Sequence, residues 1–208
     1  MKKNYPDLPY VLIGHSMGSY MSRKYASIYG DELDGVIFLG TGNQPKAVVD
    51  SGLKLAHIAK LVRGERYRSE LLNTIMFGAY NKRIKDNRTA NDWLTKDTKI
   101  VDEYLSDPKC SYKFTANAYI GFLNVIKYDI DKKNIAKTPG TLPVLFASGL
   151  EDPVGDYGKG VKKAFKMYTK YVDNVELYLY EDDRHELHSE TDREDIFSDL
   201  YEWIEENV

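Results

Sequence analysis

The sequence predicts an α/β fold built on a parallel sheet, with a helical insertion. Three observations carry this expectation. Short runs at residues 10–13, 36–39 and 144–147 are apolar at both alternating positions, the pattern of strands covered on both faces. Stretches of helical periodicity stand between them, so successive strands are joined by crossovers and run parallel. The runs lead into glycine-bearing turns, at Gly14, at Gly40 and Gly42, and at Gly149. With 208 residues and 42% hydrophobic content, the chain can bury one substantial core.

Residues 1–8 form a polar lead-in. The first strand, 10–13, breaks into Gly14, His15, Ser16, Met17 and Gly18, a Gly-x-Ser-x-Gly pattern between a buried-type strand and a helical pattern. Glycines on either side let the chain turn sharply around Ser16 and hold its hydroxyl above the strand end. Met17, Met21, Tyr25 and Ile28 then predict one apolar helical stripe, with Gly30 as its stop. A polar turn leads to the second strand, 36–39. From Pro45 to about Thr138 the composition shifts to long helical stretches rich in Lys and Arg. Leu53 and Ala56, Leu72 and Met76, Trp93 and Leu94, Val101 and Leu105, then Tyr119, Phe122 and Ile126 recur at helical spacing. Most should pack helix on helix, and some should line a pocket, because an insertion after a strand at this edge lies over the serine. The expected division is therefore 1–44 and 139–208 as core, with 45–138 as a helical cap. The third strand ends near Ala147, a helix spans 158–172, and the strand 175–180 sets Val175, Leu177 and Leu179 on one side and Tyr178 and Tyr180 on the other. In the last helix Thr191 and Glu194 make a capping box, and Ile196, Leu200, Trp203 and Ile204 provide the core stripe.

Charge and composition exclude several functions. A net charge of -3 with a pI near 5.9 offers no general attraction to phosphate backbones, so nucleic acid is not an expected partner. The longest apolar runs are strand-sized, and no hydrophobic leader follows Met1, so the expectation is a cytoplasmic protein without a transmembrane segment. Cys110, the single cysteine, permits no intrachain disulfide and no Cys-based zinc site.

A nucleophilic serine needs a base that removes its proton and an acid that orients the base. In an open parallel sheet these groups stand on loops at the C-terminal edge of the strands. Asp152 follows the strand 144–147, and His185 follows the strand 175–180, so both are expected beside Ser16. Glu151 is the competing acid; Pro153 restricts the backbone after Asp152 and favours the latter. His188 is a competing base but lies further from its strand, whereas His15 and His57 are expected to be structural. His185 and His188 are three apart rather than the four of a zinc-binding helix, so no metal is expected. The backbone N–H of Met17 is the expected donor to an oxyanion.

Gly14 to Ser19, the strand end Gly40-Thr41-Gly42, Trp93-Leu94 followed by Asp107-Pro108-Lys109-Cys110, then Gly149 to Gly155, and Arg184-His185-Glu186 together resemble the monoacylglycerol lipase and lysophospholipase branch of the α/β-hydrolases, the serine aminopeptidase S33-like proteins. The resemblance implies the C-terminal portion of an α/β-hydrolase core, a helical cap, no cofactor, and ester hydrolysis with Ser16 as nucleophile, Asp152 as orienting acid and His185 as base. One departure is the pair Asp182-Asp183 where such proteins often carry small residues; two extra carboxylates would tend to raise the histidine pKa.

The same resemblance implies several strands before the nucleophile strand, one of whose loops supplies a second oxyanion donor, yet about nine residues precede Tyr10. Losing one such donor costs on the order of 10²- to 10³-fold in rate. The strand 10–13, built for cover on both faces, would also be an exposed edge. Two functional expectations follow. The first is an ester hydrolase acting on a single-acyl-chain lipid, with an S33-type aminopeptidase as a lesser variant. The second is a catalytically impaired C-terminal fragment that binds a complementary chain, a separate N-terminal hydrolase segment or a second copy through the strand edge, or a hydrophobic ligand.

Overall fold

The computed structural model describes residues 4–85, 87–110 and 112–208. Four strands, β1 (Val11–His15), β2 (Gly35–Leu39), β3 (Val144–Gly149) and β4 (Val175–Tyr180), form one parallel sheet in the order β1-β2-β3-β4. Register runs Ile13 against Ile37, Ile37 against Leu145, and Leu145 against Glu176, so alternate side chains line up in layers across the sheet.

Those layers are two separate cores. On one face Val36, Phe38, Val144 and Phe146 meet Ala26 of α1 (Met17–Tyr29) and Val161, Ala164 and Tyr168 of α7 (Lys159–Tyr168). On the other, Ile37, Leu39, Leu145 and Ala147 pack against Ile196, Leu200 and Trp203 of α8 (Arg193–Asn207). Each aromatic or branched aliphatic side chain taken from water in this way contributes about 1.5–3 kcal/mol. The indole N–H of Trp203 donates to Glu176 Oε1 at 2.8 Å, so the largest side chain of that core leaves no polar atom unmatched.

Between β2 and β3 the chain is helical: α2 (Lys46–Arg63), α3 (Glu70–Phe77), α4 (Thr98–Ser106), α5 (Ala116–Asp129) and α6 (Lys132–Ile135). α5 starts at Thr115, whose hydroxyl accepts from the Ala118 N–H. Tyr20 of α1 joins Val49, Leu53, Leu72, Tyr119 and Leu123 in a third core that ties this region to the sheet.

Four expectations are corrected. β1 is not covered on both faces, since Ile13 is 50% exposed; it is the edge strand, as expected, and among the described residues nothing pairs with its outer side. The stripe of Met17, Met21 and Ile28 on α1 does not face the core; Met21 is 44% and Ile28 48% exposed, while Ser19, Tyr20, Ser22, Arg23, Ala26 and Ser27 are buried. Trp93 and Leu94 sit in a turn rather than a helix. α8 has no capping box: Asp192 is its N-cap residue, and no side chain caps its N–H groups.

Candidate active site

β1 delivers the chain to Ser16, which adopts φ 53° and ψ −121° before α1 begins. That left-handed conformation costs a non-glycine residue about 1–3 kcal/mol, and it aims the hydroxyl out of the turn. The Ser16 N–H donates to Leu39 O at 3.0 Å, which anchors the turn to the end of β2. Gly14 is required by space: a Cβ there would lie 2.2 Å from Ser22 Oγ and 2.5 Å from Gly18 O. Gly18 differs, since a Cβ at that position meets nothing within 4 Å.

The loops after β3 and β4 bring two further side chains to this edge. Asp152 and His185 are both buried, at 0% and 1% exposure. His185 Nε2 lies 2.8 Å from Ser16 Oγ, and its Nδ1 lies 3.0 Å from Asp152 Oδ1. Asp152 Oδ1 also accepts from the Val154 N–H at 2.8 Å, and its Oδ2 accepts from Ser148 Oγ at 3.4 Å. A carboxylate held this way keeps Nδ1 protonated and leaves Nε2 free to accept from the serine. Met17 opens α1, where the first N–H groups have no partner within the helix, so its N–H is free to meet a developing negative charge.

The competitors stand elsewhere. Glu151 is exposed, and His188 is exposed three residues beyond His185. His15 packs behind the site: its ring lies 4.8 Å from that of His185 and 4.7 Å from that of His188, with Nε2 3.2 Å from His185 O. Burial first, and the neighbouring His185 and His188 after it, push its pKa down to about 3, so it stays neutral beside the site. Asp183 is buried and pairs with a lysine of the helical insertion. Its Oδ1 is 2.5 Å from Lys96 Nζ, which answers its charge, while Asp182 is exposed in the turn. Burial raises the Asp183 pKa and Lys96 opposes that rise. The carboxylates of Asp183, Glu190 and Asp192 converge within 4.8 Å, and the Lys96 ammonium, 3.8 Å from Asp192, is the cation held against them.

Sequence reasoning missed what holds His185 from behind. The turn at residues 92–96 lies along its loop: the Glu186 N–H donates to Leu94 O at 2.7 Å, the His185 N–H to Trp93 O at 3.4 Å, and Arg184 Nη1 to Asp92 O at 2.6 Å and Thr95 O at 3.0 Å. The Trp93 ring sits 5.0 Å from the imidazole. The only signal in the sequence was Trp93-Leu94 itself, which periodicity assigned to a helix.

Ser16 opens onto a cavity of about 730 Å³ whose walls come from α2, α3, α5, Tyr80, Trp93 and the loop after β3. A groove of about 490 Å³ on the other side of His15 runs between β1 and α8. Among the described residues no helix is long and apolar enough to cross a membrane.

Residues 1–192 match the family described as serine aminopeptidase, S33. The chain belongs to that family of α/β-hydrolases. Among solved structures, a highly thermostable carboxyl esterase from Bacillus coagulans is similar to this hydrolase at 28% identity and a TM-score of 0.91, over 99% of this chain and 67% of the esterase. A lipase in an open form is similar at 29% identity and a TM-score of 0.85, over 97% of this chain and 66% of the lipase. A soluble variant of the monoglyceride lipase from Saccharomyces cerevisiae shares the fold at 20% identity and a TM-score of 0.72, over 100% of this chain and 65% of that one. The chain thus spans about two thirds of the length of these structures. No curated protein matches the sequence.

Proposed function

We propose that this hydrolase cleaves carboxylic esters of single-acyl-chain lipids, a monoacylglycerol or lysophospholipid, with Ser16, His185 and Asp152 as its catalytic residues. The observation that carries this reading is the relay of 2.8 Å and 3.0 Å hydrogen bonds from Ser16 through His185 to Asp152, opening into a largely apolar cavity. His185 Nε2 takes the hydroxyl proton as Ser16 Oγ bonds to the ester carbonyl carbon. The carbonyl oxygen becomes an oxyanion facing the Met17 N–H. As the tetrahedral species collapses, the C–O bond to the alcohol breaks and Nε2–H protonates the leaving oxygen. Water then attacks the acyl-serine by the same route, releasing the acid and restoring Ser16. In this reading residues 45–138 act as the cap that holds the acyl chain, with Leu55, Ile75 and Phe122 supplying apolar wall.

An aminopeptidase would have to bind a substrate ammonium, and the cavity lining holds two lysines against one carboxylate, Asp156, which disfavours that cation. A second reading is that the chain acts with, and is weak without, a complementary segment covering β1. The outer side of β1, unpaired among the described residues, and the half-exposed Ile13 favour it.

Labelling with a fluorophosphonate separates the two. Modification of Ser16 in the folded chain, abolished by His185→Ala, is the expected result; folded protein that takes no label points to the second reading. A series of p-nitrophenyl esters then tests the substrate class. Decanoyl should be cleaved faster than acetyl, and the reverse order would overturn the lipid assignment.

A further inference from the structure

The cavity at Ser16 is divided by chemistry, and the division follows the elements that build it. The helices between β2 and β3 present mainly hydrocarbon, with Val48 and Leu55 from α2, Ile75 from α3 and Phe122 from α5, and Ser51 of α2 as the polar exception. The charged and amide lining comes from the core side, where Asn43 and Gln44 follow β2, and Asp156, Lys159 and Lys163 belong to the β3–α7 connection and to α7. Gln44 is fixed in place, accepting from Tyr20 Oη at 2.9 Å and donating to Val154 O at 3.4 Å, so the two polar segments form one wall.

Lys159 and Lys163 are one helical turn apart and share a face of α7. Both are exposed at the cavity, and among the described residues neither ammonium carries an ion pair or side-chain hydrogen bond. Lys159 also opens the helix, where the aligned peptide dipoles add positive potential. Asp156 is the one opposing carboxylate in the lining, which leaves this wall with a net positive charge. An ester whose acyl chain lies against the helices has to place its alcohol part elsewhere in the cavity, and the polar wall is the surface that remains.

We infer that Lys159 and Lys163 form a charge-reading subsite, and that the preferred ester carries a phosphate on its alcohol part rather than a neutral glycerol. This rests on the proposed ester hydrolysis and narrows it to a substrate class. Two merely solvated lysines would give no such preference.

The test compares 1-octanoylglycerol with 1-octanoylglycerol 3-phosphate, two soluble esters that differ only in the phosphate. The expected result is a kcat/KM about three- to tenfold higher for the phosphate ester, the size that one or two exposed ion pairs provide. That ratio should fall as salt is raised from about 0.05 to 0.5 M. It should drop to near one in the double variant Lys159→Gln and Lys163→Gln, and persist in Lys162→Gln, which removes the same charge from a position outside the cavity lining. A ratio at or below one in the unaltered chain, or one that the double variant leaves intact, overturns the inference. If neither ester is hydrolysed, the ester-hydrolase reading fails instead. The subsite is then read by binding: Trp93 fluorescence of Ser16→Ala, titrated with the same two compounds, should still show tighter binding of the phosphate ester, and equal affinities would sink the subsite as well.

Discussion

α1 and α8 flank the same sheet from opposite faces, and they obey different rules. α8 buries Ile196, Leu200 and Trp203, the stripe its periodicity predicts, against the aliphatic side chains of β2 and β3. α1 exposes Met17, Met21 and Ile28 and buries serines and an arginine. The difference lies in what each helix meets. α8 meets a mainly hydrocarbon layer, with the Trp203–Glu176 hydrogen bond at its margin, so hydrophobic periodicity selects its inward face. α1 starts just after Ser16 and is wedged between β1, the loop after β2 and α5, so its inward face must match backbone groups. Arg23 Nη1 donates to Gly42 O at 2.8 Å and Nη2 to Asp129 O at 3.0 Å, with the guanidinium 5.7 Å from the ring centres of Tyr20 and Tyr168. Ser22 lies close against Gly14, and Ser19 Oγ donates to Ser16 O at 2.6 Å. The helix that positions the Ser16 turn is specified largely by polar fit: Tyr20 and Ala26 join the cores, while Met17, Met21 and Ile28 are left outside.

The sharpest way to break this comparison is to remove the anchor of each helix. Trp203→Ala should cost about 3–5 kcal/mol in urea denaturation through the cavity it leaves. Arg23→Ala should cost about 2–5 kcal/mol, because it leaves two buried carbonyl oxygens, those of Gly42 and Asp129, without their donor. A loss under about 1 kcal/mol for Arg23→Ala would show that the polar face of α1 is incidental.

Asp129 sharpens the point through pH. It is almost fully buried, and that burial pushes its pKa up to about 7 against the partial opposition of Arg23 and Lys24. Since the folded value exceeds the unfolded one, the folded state holds the proton longer. Stability is therefore full below about pH 4, falls as the pH rises toward 7, and levels off above that. The fall should be on the order of 2–4 kcal/mol by the usual conversion of a pKa difference. Thermal unfolding of Asp129→Asn between pH 4.5 and 7.5 should give a flatter profile than the unaltered chain, and matching slopes would remove Asp129 from this account.

The smallest effects belong to the exposed stripe. Met21→Gln and Ile28→Gln should each change stability by no more than about 0.5 kcal/mol, whereas Leu200→Ala should cost about 2–5 kcal/mol. A large loss at Met21 would mean that this face is covered in solution.

The sheet was legible in the sequence because residues 36–39 and 144–147 are short, unbroken apolar runs that lead into glycine-bearing turns, the pattern of a strand between two layers. Ser16, Asp152 and His185 could be singled out because each follows a strand, and parallel strands bring their exits to one edge. What the sequence did not reveal depends on long-range packing of polar groups. The inward face of α1, the contact of His15 with His185 and the pairing of Lys96 with Asp183 all join residues whose proximity no local period encodes. Trp93 was misread for a related reason: two apolar residues in a charged stretch fit a helix as well as a turn, and only the loop after β4 decides between them.

The turn at residues 92–96 has a practical consequence for anyone re-engineering this hydrolase. The helical region between β2 and β3 is the natural part to exchange for another when a different substrate range is wanted. Yet the backrest of the imidazole is sewn into that same stretch, through Asp92, Trp93, Leu94 and Thr95. A graft that replaces the whole insertion would discard it, so a working chimera has to keep residues 92–96 from this chain and place its seams on either side of them.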